Sequence, residues 1–147
     1  MIDDHDPVAH DEPSTPRGLG TIEPRAVAGG FVTALICVAA GLAAALLVRE
    51  VFDWTRGGTS TLAFVFAASG FLLGGFRAGL LCPRAPLSNG AVAAMLAFVP
   101  LGIGQRLIAG KELRPLSLVF GALFAACFGV FGGYVANNAN RMRRAGK

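Results

Sequence analysis

Four charge-poor apolar runs, residues 26–48, 61–81, 90–109 and 116–136, leave this chain few ways to fold. A hydrocarbon core about 30 Å thick takes about 20 helical residues at roughly 1.5 Å each, and every run is near that length. In such a core each backbone N–H and C=O must be satisfied within its own segment, so helices are expected and strands are not. Composition agrees, because 54% of the 147 residues are hydrophobic, only 15% are charged, and most of the charge lies outside the runs. The expected fold class is all-α, an integral membrane bundle of four transmembrane helices.

The first 25 residues carry six acidic side chains, two arginines and prolines at 7, 13, 16 and 24, with no apolar core. A signal peptide would begin basic and turn apolar. The low hydrophobicity predicts a disordered acidic tail over 1–25, followed by a transmembrane domain over 26–137 and a basic tail over 138–147. Four spans place both termini on one side. That side holds eight basic residues (Arg17, Arg25, Arg77, Arg84, Arg141, Arg143, Arg144 and Lys147), and the other holds five (Arg49, Arg56, Arg106, Lys111 and Arg114). The excess predicts cytoplasmic termini, with Trp54 at the outer interface.

Within the membrane the sequence offers little chemistry. No carboxylate or histidine lies in any of the four runs. A proton-coupled carrier ordinarily relays charge through such a group. Small multidrug transporters are similar in span number, but their first-helix glutamate has no counterpart here. No phosphate-binding loop, HExxH or GxSxG occurs. His5 and His10 stand among acids in the tail with no fold to fix a metal's geometry, so neither metal nor cofactor is expected. Cys37, Cys82 and Cys127 are dispersed and read as unpaired thiols. No basic stripe is interleaved with aromatics, so nucleic acid is not an expected partner.

The glycines and alanines say more. Small residues recur every four positions as Gly29, Thr33, Cys37, Gly41 and Ala45 in the first span, and as Gly121, Ala125, Gly129 and Gly133 in the fourth. The second span has Gly70, Gly74 and Ala78, with Gly75 and Gly79 beside them. Such spacing puts small side chains on one face, where helix backbones approach closely in lipid. These faces are expected to pack within the bundle or against a partner. Pro100 is expected to interrupt the third span. "AASGFLLGGFRAG" (67–79) also aligns with "AACFGVFGGYVAN" (125–137) at an offset of 58, suggesting two parallel-repeat helical hairpins.

Arg77 and Arg84 flank the turn after the second span. Arg77 is expected to snorkel to the headgroups and Arg84 to meet a lipid phosphate. Pro83 and Pro86 are expected to stop the second helix, with Ser88 or Asn89 capping the third. Arg141, Arg143 and Arg144 complete a set of anchors for anionic headgroups at the cytoplasmic face, each worth about 1 kcal/mol.

The stretch "GGFRAGLLCPRAPLSNGAVAAMLAFVPLG" (74–102) resembles a pattern of small uncharacterised four-span bacterial inner-membrane proteins. The shared elements are Gly-Gly-aromatic-x-Ala-Gly and then Arg-Ala-Pro-Leu-x-x-Gly-Ala, joining the second and third helices. The resemblance implies the fold and a bacterial inner membrane, and it brings no activity. The expected function is therefore non-enzymatic. The chain reads as an accessory or structural subunit of a membrane complex, or a homo-oligomer, whose partners are membrane lipids and another membrane protein or its own copy. The alternative is a passive channel or small-solute transporter using the Pro100 break, against which stands the scarcity of polar residues in the spans.

Overall fold

The computed structural model describes residues 21–52, 56–108, 110, 112 and 114–146. Most of the acidic tail, including His5 and His10, lies outside the described residues, as do Trp54, Lys111 and Lys147. Among the described residues the chain forms four helices and no strand: α1 (Pro24–Phe52), α2 (Arg56–Leu81), α3 (Pro86–Ile108) and α4 (Pro115–Ala145). All four are long and apolar enough to cross a membrane, so the architecture is that of a multi-pass membrane protein.

The helices overrun the apolar runs. Three of them begin with proline (Pro24, Pro86 and Pro115), a residue suited to the first helical position because the N–H it lacks would have no partner there. Pro86 thus opens α3 instead of helping to stop α2. The expected basic tail is the end of α4, where Arg143 and Arg144 occupy the last turn and complement the negative end of the helix dipole. Gly146 closes that end by donating its N–H to the Met142 carbonyl at 3.3 Å. Glu50, just beyond the first apolar run, lies within α1. Nor does Pro100 divide α3: the helix runs through it, and the residue is exposed on the outside of the bundle.

Helices α2 and α3 touch each other and both of the others, whereas α1 and α4 do not meet. The bundle is therefore a rhombus with α2 and α3 on its short diagonal. Consecutive helices are antiparallel, and α2 lies parallel to α4, with Phe64 beside Phe124 and Gly79 beside Ala136. These pairings keep nearly the offset of the internal repeat, so the two hairpins pack in parallel.

The central core is small: Ala34, Val38, Phe71, Ala94, Ala97 and Ala125. Large side chains such as Phe64, Phe120, Phe124 and Phe131 are exposed. This inversion of a soluble core follows from the solvent, since lipid does not drive apolar side chains inward and close backbone packing must hold the helices together.

Candidate functional site

The close helix approaches correct the expected first stripe. On α1 the buried face is Ala26, Gly30, Ala34, Val38, Gly41 and Ala45, while Gly29, Thr33 and Cys37 are half-buried beside it. A four-residue step turns the helix about 40° past a full circle, so a strict spacing of four drifts off any one face. Here the face is kept by a step of three from Val38 to Gly41. A carbon added to Gly30 would lie 2.6 Å from the Gly74 carbonyl oxygen and 2.9 Å from Ala93 Cβ. Gly41 lies under Phe66. The half-buried Thr33 turns its hydroxyl back to the Gly29 carbonyl at 2.8 Å.

Helix α2 has two small faces. Gly70 meets Val38, Gly74 meets Ala34, and Ala78 is buried against Gly30, all toward α1. Gly75 and Gly79 face α4. On α4, Ala125, Gly129 and Gly133 are buried together with Gly132 and Ala136, and Gly121 lies beneath the Phe98 ring. Three backbones converge at Gly75, Gly90 and Gly129. A carbon on Gly75 would stand 2.7 Å from the Gly129 Cα, and one on Gly129 would strike the Gly90 carbonyl. The bundle axis is closed at this level.

The turn between α2 and α3 is a second centre. Asn89 is fully buried, one of the two largest side chains to be so. Its Nδ2 donates to the Ala85 carbonyl at 2.8 Å, and its Oδ1 accepts from the Glu23 N–H at 2.8 Å. Glu23 immediately precedes α1, and its N–H is one of the donors a helix start leaves without a partner. Asn89 therefore caps α1 across the bundle, whereas the sequence pattern points to Ser88 or Asn89 as a cap for α3. Ala26, Cys82 and Ala85 pack around this junction. Arg77 and Arg84 are exposed, as are Arg141, Arg143 and Arg144, so none of these charges lines the interior.

Toward the end away from both termini, the helices separate around a cavity of about 300 Å³. Its walls are Ala63, Phe64, Ala67, Ala68 and Phe71 of α2, Phe98, Leu101 and Gly102 of α3, Gly121, Phe124 and Phe128 of α4, and Val38 of α1. Phe71 packs on Phe98 with ring centres 6.2 Å apart, and Phe124 on Phe128 edge to face at 5.0 Å. Two polar side chains, Ser60 and Gln105, stand at the same distal end. Beyond them Arg106 donates to the Glu112 carbonyl at 3.0 Å and to the Ser117 hydroxyl, tying α3 to the start of α4.

The chain matches no family model, no curated protein and no solved structure. What it does hinges on the geometry alone. Among the described residues no group of three His, Cys, Asp or Glu comes together, and no carboxylate or histidine is buried. The cavity contains no group that can serve as a base or nucleophile beyond the Ser60 hydroxyl, which has no base beside it among the lining residues.

Proposed function

We propose that the chain is a non-enzymatic bacterial inner-membrane protein with cytoplasmic termini, acting as an accessory or structural unit of a membrane complex or as a homo-oligomer. The observation that carries this reading is the convergence of Gly75, Gly90 and Gly129. It spends the small-residue faces inside the bundle and leaves no route along the axis. What remains for interaction is the outward surface of the flanking helices, apolar on α1 at Val32, Ile36 and Leu47 and on α4 at Phe120, Leu123 and Phe131. The motif over 74–102 supports kinship with small four-span bacterial proteins. Exposed Arg77, Arg84, Arg141, Arg143 and Arg144 suit anionic headgroups at the cytoplasmic face.

The second reading is a passive channel or small-solute transporter, favoured by the distal cavity and opposed by the closed glycine level below it. Mild extraction of the tagged chain, followed by native mass determination, separates the two. A stoichiometric companion or a defined homo-oligomer is expected. A lone monomer that also conducts solute in liposomes would overturn the accessory reading.

A further inference from the structure

The distal cavity has a shape and a polarity that select an occupant. Along α2 it extends from Ser60 to Phe71, a depth of about 16 Å at about 1.5 Å per residue. Its volume of about 300 Å³ is at the lower edge of ligand pockets, and twice the size at which an engineered apolar void of about 150 Å³ takes up benzene. Spread over that depth, the volume leaves atom centres a width of about 5 Å, about a third of the depth, so the space suits an elongated apolar chain better than a compact ring. Left empty, it would forfeit the dispersion contacts that hold helices together in lipid.

Its polarity runs one way. The deep end is closed by Phe71 and Phe128, and the polar side chains Ser60 and Gln105 are at the distal end, where the interface lies. Both can donate and accept hydrogen bonds and neither is charged. The nearby cation, Arg106, is engaged with the Glu112 carbonyl and Ser117. Phe64 and Phe124 line the cavity yet are exposed on the outer surface, with ring centres 5.9 Å apart. These two rings stand between the cavity and the bilayer on the side of α2 and α4.

We infer that this cavity binds one hydrocarbon chain of a neutral amphiphile, with a hydroxyl or ester headgroup held by Ser60 and Gln105. The inference does not rest on the accessory reading, because a monomer without any partner would bind equally.

The test uses the full chain in nanodiscs with a photoactivatable long-chain alcohol, its reactive group near the methyl end, and a phosphatidylcholine bearing the same group as the rival source. The alcohol is expected to label the segments around Phe71, Phe98 and Phe128, and the phospholipid to label outward residues. Ala63→Leu, which narrows the cavity, should cut the alcohol's cavity labelling at least tenfold, while Ala40→Leu, on the exposed side of α1, should leave it unchanged. The double variant Ser60→Ala and Gln105→Leu alters exposed positions, so folding is retained, and it should weaken alcohol retention about tenfold. Equal labelling of the cavity by phospholipid would overturn the proposed selectivity. Labelling confined to outward residues, or indifferent to both sets of variants, would overturn the site itself.

Discussion

At Gly129 a single hydrogen atom separates α4 from the backbone of α3, whereas Gly104 has nothing within 4 Å of the place where a side chain would begin. Alanine at these two positions should therefore have opposite effects. Gly104→Ala is expected to be neutral, or to stabilise by up to about 1 kcal/mol through helix propensity. Gly129→Ala must push α3 and α4 apart along rigid backbone and is expected to cost about 1–3 kcal/mol or more. Reversible unfolding in mixed micelles measures both, and equal midpoints for the two variants would contradict the close approach. Asn89 supplies the second comparison at this scale. Asn89→Leu keeps the branching, adds bulk and strands the Glu23 N–H, for an expected loss of about 1–3 kcal/mol or more. Leucine at the exposed Asn138 should change little.

At the scale of the helix, face and register are what matter. The buried side of α1 runs through Gly30 and Ala34, one residue from the series that begins at Gly29. An added carbon at Gly29 would meet only the Cδ1 of the exposed Leu81 at 2.7 Å, the end of a side chain that can swing away. At Gly30 it would meet the Gly74 carbonyl, which cannot. Gly30→Ala is thus expected to lower the unfolding midpoint well below that of Gly29→Ala, and the reverse order would restore the other register. Here the limit of the sequence is physical. The length and apolarity of the runs specify four helices, since a bilayer leaves the backbone no other choice. The fourth-span stripe is legible too, because α4 sits between α2 and α3 and uses a broad small face. The register of α1 is not legible, as both candidate series are small and only the partner helix chooses between them. Asn89 escapes for a related reason: its bond joins residues 66 apart, and no local pattern marks it. The cavity escapes because its walls come from all four helices, and only their packing brings those residues together.

For the whole molecule, orientation follows from which side carries the positive charge. Consecutive helices are antiparallel, so Pro24, Ala145 and the turn at Arg84 share one side, and Glu112 lies on the other. The basic residues divide eight to five in favour of the terminal side, and this excess predicts that side to be cytoplasmic. A label on native Cys82 is unsuited to the question, because Cys82 is buried under Ala26 and Ala85. Arg84 and Glu112 are both exposed. In a background with Cys37, Cys82 and Cys127 replaced by alanine, Arg84→Cys should react with a membrane-impermeant maleimide only after the cells are opened. Glu112→Cys should react in intact cells. Opposite reactivity at both sites would invert the molecule, setting the basic end of α4 outside and turning the cavity mouth toward the cytoplasmic leaflet. A pair that reacts from the same side would break the four-span count itself, since Arg84 and Glu112 are separated by α3 alone. The two labels therefore test the orientation and the number of crossings together.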